Sequence, residues 1–145
     1  MKPSIETMLQ MPYDEALEEI EGKIAMAVNK RRKTWPEITT TRIKIIKYIV
    51  TDSEENCPLT NIDIQNVFPA YRDYISSSII TILQRRLDGF IGRTRIRKNT
   101  KRETPAYFFR AEVADIFKEA YGKEPGYKPL KDIFLKTLER YNPKT

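Results

Sequence analysis

The most strongly patterned part of the chain is residues 70–110, where the spacing of the apolar residues changes once. Over 72–87 these residues recur every three or four positions, which predicts one face of an α-helix. That face carries Ile75, Ile79, Ile82, Leu83 and Leu87. From Ile91 the period is two, which predicts a β-strand, and a second β-rich run ends at Phe109. The sequence therefore predicts a helix followed by a two-stranded hairpin over 91–109.

Two local signals mark the ends of the neighbouring helices. Gly89 lies between the helical and the strand pattern, where a glycine in the left-handed conformation commonly ends a helix. Thr60 is the predicted N-cap of a short helix, because Asp63 stands at the third position after it. A further helix is predicted over 39–50. We therefore expect two short helices joined by a tight turn at Pro69 and Ala70, with the second helix longer and rich in hydroxyl groups.

Helices are also predicted on both sides of this segment. Pro12 opens an N-terminal helix whose apolar residues step by three and four, as in the seam of a coiled coil. This seam packs either within the chain or against a second copy. Residues 111–121 form another helix, and Pro129 opens the last one, whose apolar stripe we expect to bury against a partner subunit. Residues 1–11 show no period and are expected to be mobile.

These elements predict a mainly α (α+β) fold with about six helices and one hairpin. We divide the chain into an N-terminal helical extension, a central domain and C-terminal helices, over 1–36, 37–110 and 111–145. At 145 residues, 32% of them charged, a soluble protein is expected. The absence of an apolar run of ~18 residues and of a signal-peptide pattern predicts a cytoplasmic protein without a membrane segment.

Residue content limits the chemistry. The chain has no histidine and one cysteine, Cys57. These counts exclude histidine bases, Cys-His nucleophiles, an intramolecular disulfide and a cysteine metal cluster. The acidic residues of 52–55 lie in a predicted loop, where such a group is far more often solvent-facing than a magnesium site. We expect neither an enzyme nor a cofactor.

Positive charge is concentrated in one segment. Nine Lys or Arg and only two acidic residues lie between Arg85 and Arg110, whereas the whole chain has a net charge of +6. One interpretation is a solvated hairpin whose charges prevent edge aggregation. The other is an anionic partner, which is favoured because like charges on one face of a strand repel each other. A second basic cluster, residues 30–33, is interpreted as a solvated helix end rather than a phosphate contact.

Residues 38–110 resemble the winged helix-turn-helix regulators of the PadR and MarR type, which abound in archaea and in their plasmids and viruses. Four segments carry the resemblance. The second helix corresponds to PLTNIDIQNVF and the third to YISSSIITILQRRL. The exit from the third helix, an acidic residue, a glycine and apolar residues, corresponds to DGFI, and the wing to IGRTRIRKNTKRETPAYFF. Where those families usually have a leucine four residues before the exit glycine, this chain has Arg85. The resemblance covers about half of the chain.

The resemblance implies a DNA-binding transcriptional regulator with a recognition helix over 72–87 and a wing over 91–109. The seam of the N-terminal helix and the apolar stripe of the last helix predict that it forms a homodimer. Such a helix meets base edges in the major groove, and the wing contacts the backbone of double-stranded DNA. On the helix, the expected DNA contacts are Arg72, Ser76, Ser77, Thr81, Gln84 and Arg85. On the wing they are Arg93, Arg95, Arg97, Lys98, Lys101 and Arg102.

A second function class stays open. Winged helices also serve as protein-interaction modules, because a fold does not determine a function. The recognition helix has three consecutive serines and no asparagine, so it offers few side chains that read bases. A basic wing can also meet an acidic protein groove. The alternative is therefore a module that binds RNA polymerase or a general transcription factor and inhibits or recruits it.

Overall fold

The computed structural model of the chain describes residues 5–29, 36–97 and 102–141. It is mainly helical with a small antiparallel sheet, in keeping with the predicted α+β class. The helices are α1 (Ile5–Met8), α2 (Tyr13–Asn29), α3 (Pro36–Asp52), α4 (Asn61–Val67), a 3₁₀ helix (Pro69–Tyr74), α5 (Ser77–Arg86), α6 (Ala111–Tyr121) and α7 (Leu130–Tyr141). The strands are β1 (Leu59–Thr60), β2 (Ile91–Ile96) and β3 (Thr104–Phe109).

The sheet has three strands in the order β1-β3-β2, all antiparallel. The hairpin of β2 and β3 is confirmed, with Ile91 opposite Phe109 and Ile96 opposite Thr104. The third strand, β1, was not predicted. It has only two residues, so no period can be recognised in it, and its position depends on pairing with the distant Tyr107 and Ala106.

The predicted start of α4 is also confirmed. The backbone N–H of Asp63 donates to Oγ1 of Thr60 over 3.2 Å, and the backbone N–H of Thr60 donates to Oδ2 of Asp63 over 3.0 Å. This reciprocal pair satisfies two donors that the first turn of a helix leaves without an intrahelical acceptor. Because β1 ends at the same Thr60, the cap joins the sheet to the helix.

The prediction of one continuous helix over 72–87 is wrong. The 3₁₀ helix ends at Tyr74, and Ile75 has an extended backbone with φ −99° and ψ 106°. Ser76 then opens α5 as its N-cap, since its hydroxyl accepts the backbone N–H of Ile79 over 3.2 Å. The carbonyl of Ile75 accepts Nε2 of Gln65 over 2.7 Å, which holds the break in place. A serine hydroxyl that competes for backbone donors in this way commonly interrupts a helix.

The break also changes which residues of α5 face the core. Ile80 and Leu83 are buried on this helix, whereas Ile82, which was predicted to be buried, is 39% exposed. The error arose because Ile75 was counted as part of the same helix. With Ile75 outside α5, the apolar face is set by Ile80, Leu83 and the following Leu87.

Gly89 has the positive φ that was expected of it, +96°. It does not follow the helix directly, because α5 ends at Arg86 and a turn of four residues leads to β2. In this turn the carbonyl of Leu87 accepts the backbone N–H of both Phe90 and Ile91, over 2.9 and 3.0 Å. A Cβ on Gly89 would lie 2.8 Å from a side-chain carbon of Ile5, so the turn also packs against α1.

The N-terminal segment belongs to the core as far as it is described, contrary to the expectation that residues 1–11 are mobile. Met8 of α1 is 1% exposed. The hydroxyl of Tyr121 lies 2.9 Å from the carbonyl oxygen of Met8 and 2.7 Å from that of Met11. The first four residues lie outside the described residues. A hydrogen bond of this kind depends on a residue far along the chain, so no local pattern predicts it.

The flanking helices bury their apolar faces inside the chain. On α2, Tyr13, Ile20, Ile24 and Ala27 of the predicted seam are buried and Leu17 is half-buried, whereas Arg31 lies outside the described residues. On α7 the stripe is also buried, with Leu130, Ile133, Phe134 and Leu138. These two helices pack against each other and against α3. The apolar seam of α2 therefore packs within the chain and not against a second copy. The expectation that the α7 stripe covers a partner subunit is wrong, which removes the basis of the homodimer prediction.

Two arginines bind the C-terminal end of α2. Nη1 of Arg86 donates to the carbonyl of Met26 over 2.8 Å, and Nη1 of Arg42 donates to that of Val28 over 3.3 Å. The last carbonyls of a helix lack intrahelical donors and carry partial negative charge, so cations stabilise this end. Burial, and next the positive charge of Arg86, lower the pKa of Arg42. The basic cluster 30–33 follows this helix but lies outside the described residues.

Residues from all three predicted segments contribute to one hydrophobic core. Phe90, directly before β2, and Phe109, the last residue of β3, both contact Phe134 of α7 edge to face, with ring centroids 5.4 and 5.8 Å apart. Within the described part of the chain, no helix is long and apolar enough to cross a membrane. Phe134 of α7 therefore fixes the root of the hairpin, where β2 begins and β3 ends.

Candidate functional site

Helix α5 is attached to the sheet by two side chains that were predicted to contact DNA. Oγ1 of Thr81 lies 3.1 Å from the hydroxyl oxygen of Tyr107 in β3. Nε2 of Gln84 donates to the carbonyl of Ile91 in β2 over 3.0 Å. Both Thr81 and Gln84 are only partly exposed. Their polar groups therefore have partners inside the protein, and they connect the helix to the hairpin.

The pairing of β2 with β3 gives the position of the arginines relative to α5. Arg93 stands directly opposite Tyr107, and residues opposite each other in an antiparallel pair project from the same face of the sheet. Arg95 lies two residues further along the same strand, so it projects from the same face. Since the side chain of Tyr107 reaches α5, the arginines are on the side of the sheet that carries this helix. Arg93, Arg95 and the following Arg97 are all exposed.

The surface of α5 that faces away from the core is a shallow depression of about 330 Å³. It is lined by Ser77, Ser78, Thr81, Ile82 and Arg85. Three of these residues have short hydroxyl side chains. Arg85 is exposed, as its predicted role requires. We refer to these five residues as the α5 surface.

The two serines that were predicted to contact DNA have structural partners as well. Ser76 accepts the backbone N–H of Ile79 as the N-cap of α5. The hydroxyl of Ser77 accepts Nδ2 of Asn61 over 3.2 Å, which joins the first turn of α5 to the first turn of α4. Both serines remain exposed. Each hydroxyl thus has one hydrogen bond within the protein and an open side toward solvent.

Arg72 does not lie on α5, contrary to the prediction of one helix over 72–87. It is an exposed residue of the 3₁₀ helix, and its carbonyl accepts the backbone N–H of Ile75. The break at Ile75 and Ser76 separates it from the α5 surface. Arg102 is exposed and lies two residues before β3. Lys98 and Lys101 lie outside the described residues.

Two residues of the α5 surface were missed, Ser78 and Ile82. Ser78 was passed over because the helix was taken to begin at residue 72, and Ile82 because it was assigned to the core. A signal for both exists in the sequence. Three consecutive serines favour a helix start at the first of them, and a start at Ser76 places Ile80 and Leu83 on the buried face.

A second depression, of about 520 Å³, lies between α1, α2, the end of α5 and α6. Its charged residues are of both signs: Lys23, Arg85, Arg86 and Arg110 with Glu6, Asp88 and Glu112. Nη2 of Arg110 lies 3.7 Å from Oε2 of Glu112, and Arg86 binds the end of α2. Because its cations partly serve internal contacts, this groove does not present one uniform charge to a ligand.

No protein-family model, no curated protein and no solved structure matches the chain. The geometry of α5 and the hairpin therefore carries the functional assignment. That geometry combines hydroxyl donors and Arg85 on the helix with exposed arginines on the adjacent strand. Guanidinium and hydroxyl groups are donors that bind phosphate oxygens well.

Proposed function

We propose that the chain is a winged helix-turn-helix protein that binds double-stranded DNA and regulates transcription. In this proposal α4 and α5 are the helix-turn-helix, α5 is the recognition helix, and β2 and β3 form the wing. The order of elements supports it, because α5 runs through one short turn into the hairpin. The sheet order β1-β3-β2 supports it as well, since β1 precedes α4 and braces the hairpin from its other edge.

The observation that carries the proposal is the shared side of the α5 surface and the wing arginines. Tyr107 connects the two, because it is opposite Arg93 in the sheet and contacts Thr81 on α5. A duplex carries one negative charge per ~1.7 Å of its axis, so an arginine row beside a helix can follow its backbone. A helix seated in the major groove would then have the wing on the flanking phosphates.

The α5 surface supplies few groups that read bases. The side-chain amide of Gln84 is engaged by Ile91, which leaves Arg85 as the long polar side chain of this surface. Arginine can donate two hydrogen bonds to guanine in the major groove. We therefore expect affinity to come mainly from phosphate contacts, with sequence choice limited to a few positions.

The proposal is tested by titrating a random-sequence duplex with the wild type and with Arg93→Ala/Arg95→Ala/Arg97→Ala. The triple variant is expected to bind more than about tenfold more weakly, because it loses three cations near phosphate. The matched control is Lys47→Ala/Lys118→Ala/Lys136→Ala, which removes the same charge from exposed positions on α3, α6 and α7. Equal losses for the two triple variants would show that only net charge matters and would contradict the proposed site.

A second candidate function is a protein contact with RNA polymerase or a general transcription factor. Four of the six large apolar side chains that are exposed in the described ranges lie between residues 62 and 82. They are Ile62, Val67, Tyr74 and Ile82. They lie on α4, the 3₁₀ helix and α5, and β2 of the same chain presents exposed arginines. Apolar groups together with exposed cations suit an interface whose centre is apolar and whose rim is charged. Retention of the chain on purified RNA polymerase, together with failure to bind duplex DNA, would favour this candidate.

A further inference from the structure

Ile82 is the one large apolar side chain of the α5 surface. It is 39% exposed and lies on the same helical face as Ser78 and Arg85, which are four residues before it and three after it. An isolated exposed apolar residue is ordinary on a protein surface. Its neighbours make this one different, because the other residues of the surface, apart from Arg85, carry short hydroxyl groups.

Because the side chains around Ile82 are short, they determine which residues of the α5 surface a partner contacts first. Ser77, Ser78 and Thr81 extend little beyond the helix backbone, and the hydroxyl of Thr81 is directed to Tyr107. Ile82 and Arg85 therefore reach furthest from the helix. If α5 enters a major groove, these two side chains are the ones that approach the base edges. Ile82 presents an apolar group, and the guanidinium of Arg85 presents several hydrogen-bond donors.

The major groove offers a matching target for each of them. Guanine presents two acceptors that suit an arginine, and thymine is the only DNA base of the standard four that presents a methyl group there. We propose that Ile82 is a specificity-determining residue that contacts the 5-methyl group of thymine beside a guanine bound by Arg85. This inference rests on the proposed DNA-binding function and adds a base preference to it.

The expected change in affinity follows from the apolar area of the thymine methyl group that is removed from solvent when Ile82 covers it. Burial of one methylene-sized group corresponds to about a fourfold change in affinity. Uracil differs from thymine only by this methyl group, and it keeps the hydrogen-bonding groups of both grooves. Replacing thymine by uracil at the contacted position is therefore expected to weaken binding about fourfold without altering the phosphate contacts.

The experiment uses duplexes that the full chain enriches from a random-sequence pool, resynthesised with uracil in place of thymine. Dissociation constants are measured for both forms with the wild type, Ile82→Ala, Ile82→Val and the control Ile116→Ala. Ile116 is a 37% exposed isoleucine on α6. Ile116→Ala therefore removes the same side chain as Ile82→Ala, but from a different helix. We expect the wild type, Ile116→Ala and Ile82→Val to prefer the thymine duplex, and Ile82→Ala to bind both forms equally.

Three results would overturn the inference. They are equal binding of thymine and uracil duplexes by the wild type, bound duplexes from the pool that show no sequence preference, and a wild-type ratio in Ile82→Ala. In each of these cases the chain still binds DNA, so the proposed function stands. If the wild type binds no duplex, the proposed function fails as well. Binding to purified RNA polymerase that is lost in Ile82→Ala would then assign the side chain to a protein contact.

Discussion

The hydroxyl oxygen of Tyr107 lies 3.1 Å from Oγ1 of Thr81, and this contact joins β3 to α5. Tyr107 is 1% exposed, so its hydroxyl requires a partner inside the protein. The same Tyr107 stands opposite Arg93 in β2. One residue therefore sets the position of the α5 surface and of the basic strand β2 relative to each other.

Removal of this hydroxyl is expected to destabilise the fold. Tyr107→Phe should lower the free energy of unfolding by about 1 kcal/mol, the net contribution of a typical hydrogen bond. Urea denaturation measures the change. Tyr74→Phe is the control, because Tyr74 is 42% exposed and should change the stability by less than about 0.5 kcal/mol. Equal effects of the two substitutions would contradict the assigned role of Tyr107.

The start of α5 gives a second prediction, which compares two neighbouring serines. Ser76→Ala removes the N-cap hydroxyl that accepts the N–H of Ile79, so the free energy of unfolding should fall by about 1 kcal/mol. Ser78→Ala lies inside the helix, where alanine is the better helix former, and should be neutral or slightly stabilising. If α5 instead continued from residue 72, both changes would be near neutral in thermal or urea unfolding.

Gln84 and Arg85 are adjacent in sequence but are expected to act differently. Gln84→Ala removes the hydrogen bond to the carbonyl of Ile91 and should lower the free energy of unfolding by about 1 kcal/mol. Arg85→Ala should leave stability within about 0.5 kcal/mol of wild type, because the side chain is exposed. It should instead weaken binding to the preferred duplex by about 1–3 kcal/mol. The reverse pattern would show that Gln84 reads the DNA.

A pH titration tests the packing of the N-terminal segment. Burial, and next the charge of Glu124, raise the pKa of Tyr121 above its ordinary value of about 10. A group whose pKa is raised by folding favours the folded state fully below its unfolded pKa, and this contribution is lost as pH rises through the folded pKa. Stability should therefore fall above about pH 10. Tyr121→Phe should show a smaller fall over this range, because it cannot ionise there.

The features that were predicted correctly are those with a local signal. The change of period at Gly89 located the hairpin, and the pair Thr60 and Asp63 located the start of α4. Helix α6 has the predicted bounds, because its first residues follow a β-strand and Gly122 follows its last turn. Each of these signals lies within a few residues of the feature that it predicts.

The features that were missed depend on distant parts of the chain. Strand β1 exists because Leu59 meets Tyr107, and the stripe of α7 is covered by α2 rather than by a partner. The break before α5 has a local signal in the sequence but was missed all the same. Ser76 is a local signal for it, but the apolar spacing that includes Ile75 suggested a longer helix. Ile75 is 2% exposed, so it packs in the core from an extended segment rather than from a helix.

The salt dependence of DNA binding tests the central claim most directly. The predicted phosphate contacts of the wing are Arg93, Arg95, Arg97, Lys98, Lys101 and Arg102. If about four to six of them form, the slope of log K against log salt should be about −4 to −5 per subunit. Arg95→Ala should reduce the magnitude of that slope by about one and weaken binding to all sequences alike, since Arg95 is exposed on β2. Lys118→Ala, an exposed control on α6, should leave the slope unchanged. An unchanged slope and affinity in Arg95→Ala, with loss of binding to purified RNA polymerase, would contradict the DNA-binding account.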